Sequence, residues 1–376
     1  MRLLLFLLLL LPSLTHAEET AAERYAARMF AAIDSGDPQK VADLIDFDAL
    51  LDGARGDVPF ASDEQELGFR TGLRKGFTQA GWAFLAIDVS RRGGTITYLG
   101  SKTQPEGDWV HFRVLDPEGG LDHISFLLGK GTRGIPVAVD LFPLSAGERT
   151  TVLMRRLVLG VIADSNQSVL ERLAGKDRLY LDNLETIATM NRGLLGTDLA
   201  GGLAAYRRLP KELQEDKLFL LNRVQIAAQI SEEELTAAAT ELARLFPNDP
   251  ATALQMVDVH FVRGDFDASI AAVEALAANA YPDAYFDVLR GSILSSAGRS
   301  AEAIEAARRA TAAEPALAEG WGVLMLGLAA QGRFAEMVKV IPDAAKHDVT
   351  FDFSLPEFAG FVASKEYAAY EETLRP

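Results

Sequence analysis

The chain contains no cysteine and only five histidines among 376 residues. Without thiols there is no disulfide, no thiolate zinc centre, no cysteine nucleophile and no lipidated cysteine at a processed N-terminus. Cations are scarce too: 37 Lys and Arg stand against 53 Asp and Glu, a formal net charge of −16. Nucleic-acid phosphates and anionic lipid surfaces attract a surplus of Lys and Arg, so this balance argues against both as partners. No apolar run approaches the roughly 20 residues that span a bilayer. The stretch from Val152 to Ala163 is interrupted by Arg155 and Arg156. No P-loop, H-E-x-x-H or G-x-S-x-G motif occurs.

What is present is a hydrophobic content of 49%, ordinary for a globular protein, in a chain long enough for two or three domains. It opens with Met1-Arg2, an apolar run from Leu3 to Leu11, and a stretch ending in Thr15-His16-Ala17. One basic residue, a short apolar core and small residues at the end form the pattern of a secretory signal peptide. Residues 1–17 are therefore expected to be removed after Ala17, and the mature protein to be exported, into a bacterial periplasm by composition. Asn166-Gln167-Ser168 fits a glycosylation acceptor that matters only where the host modifies such sites.

The next 129 residues, 18–146, change period midway. Ala22, Tyr25, Met29, Phe30 and Ile33 recur at three- and four-residue steps, as do Phe69, Leu73 and Phe77, and both sets predict helices. Five short aromatic or β-branched runs follow: Trp82–Val89, Thr95–Leu99, Trp109–Leu115, Leu121–Leu128 and Ile135–Phe142. The Gly-rich gaps between them are hairpin-sized and predict an antiparallel meander. Gly129 to Gly134 spells G-x-G-x-x-G, but a strand follows it instead of a helix, so it reads as a hairpin loop and not a dinucleotide fingerprint. Helices before a curved meander make an α+β domain that resembles the NTF2-like and cystatin-like cones. The resemblance implies a long helix packed into a bent sheet.

From residue 147 the composition turns to Ala, Leu, Glu and Arg, and no strand is predicted. Gly264, Gly298 and Gly332 are 34 residues apart. Around the middle one, Gly291 lies seven residues before, Ala303 and Ala310 lie five and twelve after, and Pro315 ends the unit. This resembles the tetratricopeptide repeat, whose small residues let paired helices approach, whose loop Gly permits a tight turn, and whose units must stack to cover their apolar faces. The frame assigns units 250–283, 284–317 and 318–351, and a degenerate unit 216–249 with Ile230 where the loop Gly belongs. Residues 147–215 read as divergent helical hairpins, and 352–376 as a capping helix. Ser231 before Glu232-Glu233-Glu234 reads as a helix start.

Two sites are expected. The resemblance to tetratricopeptide repeats implies a groove lined by the first helix of each unit. The corresponding positions include Leu254, Asp258, Phe261 and Val262 in the first, Tyr285, Val288, Ser292 and Ser295 in the second, and Glu319, Gly322, Leu326 and Ala329 in the third. They lack the Lys/Asn/Arg set that grips a C-terminal carboxylate. A mixed apolar and weakly acidic groove suits a peptide or a neighbouring domain. The second expected site is a small-ligand pocket inside the cone, around Trp82, Trp109, His111 and His123, with Asp122 or Asp140 beside them. Strand parity puts Trp109, His111 and Arg113 on one face. Neither site implies a cofactor or a metal, and no spacing is diagnostic of an enzyme. The sequence thus predicts an exported, non-enzymatic adaptor for a protein or peptide. A ligand-binding cone and self-association through the repeats are the alternatives.

Overall fold

The structure, a computed structural model, describes residues 19–131, 134–165 and 171–374. The leader and the Asn166 acceptor lie outside them. Five helices come first: α1 (Ala21–Asp34), α2 (Pro38–Ala42), α3 (Phe47–Arg55), α4 (Asp63–Gln79) and α5 (Trp82–Arg91). Starts are fixed by side chains that satisfy free backbone amides. Thr20 and Glu23 form a reciprocal capping box on α1, and Asp37, Asp46 and Ser62 cap the next three helices. A four-stranded antiparallel meander follows, in the order β1 (Thr95–Gln104), β2 (Gly107–Leu115), β3 (Leu121–Lys130) and β4 (Pro136–Pro143). The β4 edge is closed by the segment before α3, where Asp46 donates its amide to the Ala138 carbonyl at 2.8 Å.

One expected strand is a helix. Trp82–Val89 lies within α5, because Trp82, Ala83, Ala86 and Ile87 fall on one buried helical face while Phe84 and Leu85 are exposed. The other four expected strands are present. The Gly129–Gly134 segment joins β3 to β4, with the Gly131 amide donating to the Ile135 carbonyl at 2.9 Å.

The interior of the helix-and-sheet layer is filled. Phe112 and Phe126 of the sheet meet edge to face at 5.6 Å. Tyr25 of α1 and Trp82 of α5 close on Phe126 at 5.7 and 5.8 Å. Val110, Ile124, Ala138 and Leu141 belong to the same core. Trp82, expected in a ligand pocket, is a core residue of this layer.

Helices occupy the remainder. α6 (Thr150–Ser165), α7 (Gly175–Asp182), α8 (Leu184–Leu194), α9 (Leu199–Arg208) and the short α10 (Lys211–Gln214) lead into paired helices. The pairs are α11 (Lys217–Ala228) with α12 (Glu232–Leu245), and α13 (Pro250–Val262) with α14 (Phe266–Asn279). They continue as α15 (Tyr285–Ser296) with α16 (Ser300–Ala313), and α17 (Ala318–Ala330) with α18 (Phe334–Ala345). The loop glycines Gly264, Gly298 and Gly332 all adopt left-handed φ, between 64° and 73°, so each turn is made the same way. Ser231 accepts from the Glu234 amide, as the sequence predicts. The last pair is covered by a 3₁₀ turn at Pro356–Phe358, α19 (Ala359–Val362) and α20 (Lys365–Thr373), with Phe361 fully buried. Among the described residues no helix is long and apolar enough to cross a membrane.

Candidate functional site

Strand β2 is buried along both faces from Trp109 to Leu115. Its inward residues, Val110, Phe112 and Val114, meet the helices. Its outward residues, Trp109, His111, Arg113 and Leu115, are therefore covered by something else. That cover is the edge of the helical pairs, where the second helix of one pair turns into the first helix of the next. Leu115 shares an apolar cluster with Tyr285, Val288, Leu317 and Trp321. Leu144, just past β4, is buried with Leu221, Ala251 and Leu254, and Phe142 packs against the same cluster. The expectation that His111 and His123 look into a cone is thus reversed. They share a face, but it is the face turned away from α1 and α5 and onto the repeats.

A buried ionic cluster ties the two halves together. Arg113, 1% exposed, donates through Nη1 to Asp283 at 2.6 Å and through Nη2 to Glu314 at 2.6 Å. It also donates to Thr97 of β1 at 3.3 Å and lies over the Tyr285 ring at 5.6 Å. His123 Nε2 is 2.8 Å from the other oxygen of Asp283. Burial alone would raise the Asp283 carboxyl, but the bond from His123, the Arg113 charge and the Tyr285 amide outweigh it and hold it below its ordinary value. Desolvation works against the Arg113 charge, and Glu314 and Asp283 more than compensate.

Beside this cluster a cavity of about 320 Å³ lies between sheet and repeats. Trp109, His111, His123 and Ser125 line the sheet side, and Pro250, Asn279 and Tyr281 line the repeat side. His111 Nδ1 is 2.7 Å from Ser125 Oγ, and its ring stacks on Tyr281 at a 4.0 Å centroid separation. Burial, with His123 and Lys102 nearby, pushes the His111 pKa down to about 4. Tyr281 fits because β1 bulges at Gly100, whose φ is 136° and whose missing Cβ leaves room for the phenol oxygen. At the mouth, Glu106 accepts from Trp109 Nε1 at 3.2 Å and pairs with Arg149 at 2.6 Å.

Asp122 and Asp140 do not join the histidines. Asp122 accepts from the Ser145 hydroxyl and amide, and burial raises its pKa against those bonds. Asp140 accepts from Thr151 at the start of α6. The carboxylate that reaches a histidine is Asp283, 160 residues from His123 in sequence. The serine and the carboxylate of a hydrolytic triad are present but sit on different imidazoles, Ser125 on His111 and Asp283 on His123. Among the described residues no three His, Asp or Glu side chains are grouped to hold a metal.

The groove positions divide in two. Leu254, Tyr285 and Val288, near the starts of their helices, are buried, which corrects the expectation that these three line an open groove. Asp258, Phe261, Ser292, Glu319 and Leu326 keep exposed surface, and Val262 is 76% exposed. Glu319 lines a separate crevice with Tyr285 and the turns at Gly94 and Gly119 of the sheet. Asp258 has no hydrogen-bond or ion-pair partner among the described residues, and the desolvating helices around it raise its pKa.

No family model matches the chain, and no curated relative does. A solved structure of the MamA protein is similar to part of it, with 17% identity and a TM-score of 0.38, covering 45% of this chain and 97% of that one. A second MamA structure is similar with 18% identity and a TM-score of 0.37, over 42% of this chain and 94% of that one.

Proposed function

We propose that this chain is an exported, non-enzymatic scaffold that binds a protein or peptide segment in the concave groove of tetratricopeptide-like repeats. The observation that carries this reading is the open half of the groove. The sheet covers the edge where the first helices begin, while toward their other ends Phe261 is 40% exposed, Val262 76% and Leu326 38%. Asp258 and Ser292 are exposed on the first helices of successive pairs, so these helices offer apolar contacts with an unpaired carboxylate among them, suited to a segment with apolar and basic side chains. The helix-before-meander order supports an NTF2-like assignment for the N-terminal half, whose role in this reading is to hold the repeats.

The test is selection of peptides from a random display library on the immobilised full chain. Selected peptides should bind at least about tenfold more weakly to Phe261→Ala and to Leu326→Ala, each loss being about 1.4 kcal/mol. Equal affinity for parent and both variants would sink the proposal. The export half of the reading is checked by N-terminal sequencing of the protein recovered from its host, which should begin at Glu18.

A further inference from the structure

The longest helix of the N-terminal half leaves an apolar face uncovered. α4 has no fully buried residue. It rests on the core through Phe69, Leu73 and Phe77, and beside that contact an open groove of about 630 Å³ runs between α4 and α6. Thr150 supplies the one polar side chain among its lining residues, and none of them is charged. On the α6 wall Leu157 is 61% exposed and Val161 40%, and on α4 Leu67 is 66% exposed. Contiguous apolar surface of this kind, open to water, marks a place where another molecule docks.

The α4 wall is shaped for a helix. Gly68, Gly72 and Gly76 follow one another at four-residue steps and so stack along one helical face. A Cβ added at any of the three would meet nothing within 4 Å. Glycine inside a helix is unfavourable relative to alanine, and no neighbour within the chain uses the room these three leave. Without side chains there, a second backbone can come close.

The charges beside the glycines indicate which helix. Arg70 pairs with Asp48 and Glu66, and Arg74 with Asp43, so these cations are engaged within the chain. Glu64 and Lys75 are exposed and have no ion-pair partner among the described residues. Glu64 lies one turn before Gly68, and Lys75 one turn after Gly72, so both flank the glycine face about 16 Å apart. These positions are symmetric about residue 70. In an antiparallel pair crossing there, Gly68 of each helix opposes Gly72 of the other, and Glu64 falls beside Lys75 at both ends. α4 is therefore complementary to itself, as a two-fold interface requires.

We propose that the α4–α6 groove is the contact surface of a two-fold dimer, in which α4 packs antiparallel on α4 of a second copy. The glycine faces meet at the crossing, and Glu64 of each chain pairs with Lys75 of the other. The same contact takes Leu157 and Val161 out of water, and it uses no residue of the repeat groove.

The experiment follows the full chain by sedimentation equilibrium in low salt between about 1 and 200 μM, where the parent should dimerise. Gly72→Gln enters open space and favours the helix, so its melting temperature should match or exceed the parent's. Its dimer dissociation constant should nevertheless rise at least about tenfold. Glu64→Lys and Lys75→Glu should each weaken self-association, because like charges then meet at both ends. Mixing these two variants restores opposite charges at both ends, and the heterodimer should be at least about fivefold tighter than either homodimer. A parent that stays monomeric throughout overturns the proposal. So does a dimer that Gly72→Gln leaves intact, single charge variants that associate as tightly as the parent, or a mixture no tighter than its components. Lauric acid is titrated in parallel. Its binding to a monomeric parent, abolished by Gly72→Gln, would assign the groove to an acyl chain and likewise overturn the dimer.

Discussion

Arg113 shows how much of this molecule depends on single side chains between its halves. Removing the guanidinium leaves Asp283 buried with one partner fewer and Glu314 unpaired, a class of change that costs about 3–5 kcal/mol. Arg113→Ala should therefore lower the urea midpoint markedly. A midpoint within experimental error of the parent's would show that the cluster contributes nothing net. His111 makes a pH prediction. The fold holds it neutral with a pKa of about 4, whereas the unfolded chain takes up the proton near 6.5. Between those values the unfolded state binds more protons, so stability falls as the pH drops through that window and is unaffected by this group above it. The loss at pH 4.5 is about 2–3 kcal/mol. His111→Phe should show a shallower fall in urea midpoint between pH 7 and 4.5, and an equally steep fall in the variant contradicts the assignment. That His111 and Arg113 share a face of β2 was legible from strand parity, and the pairing of Arg113 with His123 across β2 and β3 adds the second histidine to it. Which face they share was not, because their carboxylate partners lie 160 and 201 residues away and no local pattern encodes such a pairing.

At the scale of elements, legibility followed the locality of the signal. The 34-residue spacing, the small residues and the terminal proline act within one helical pair, so the sequence states the paired-helix turns directly. The Trp82–Val89 run misleads because its aromatic and β-branched content matches a strand. Only the placement of Ala83, Ala86 and Ile87 at helical spacing reveals the buried face. The run from Trp109 to Leu115 conceals its cover, because His111 and Arg113 alternate with Val110, Phe112 and Val114 as on a half-solvated strand, yet both faces are buried. The final elements yield a third prediction. Phe361 is fully buried, with Phe334, Phe353 and Tyr367 at 5.9, 5.4 and 5.0 Å. Phe361→Ala should cost about 3–5 kcal/mol and loosen α18 to α20 first. Hydrogen exchange is expected to accelerate across residues 334–373 while β2 and β3 keep their protection. Uniform acceleration along the chain would contradict a local capping role.

For the whole molecule, the two halves are not separable in the way their compositions imply. Leu115, Phe142, Leu144 and Trp109 lie under the repeats, so a fragment ending at residue 146 exposes an apolar sheet face that the full chain covers. That fragment should aggregate or remain partly unfolded, whereas the full chain should unfold in one transition with tryptophan fluorescence and far-UV circular dichroism coinciding. Two resolved transitions in the parent would show that the halves fold independently.

Stacked helical pairs on their own behave as springs, because each unit touches only its neighbours and small rotations accumulate along the stack. Here β2 reaches across two successive junctions, gripping Asp283 at one and Glu314 at the next through the same guanidinium. The sheet acts as a splint along the array. It fixes the pitch between these pairs, so their spacing is held by the sheet and not only by contacts between neighbouring helices.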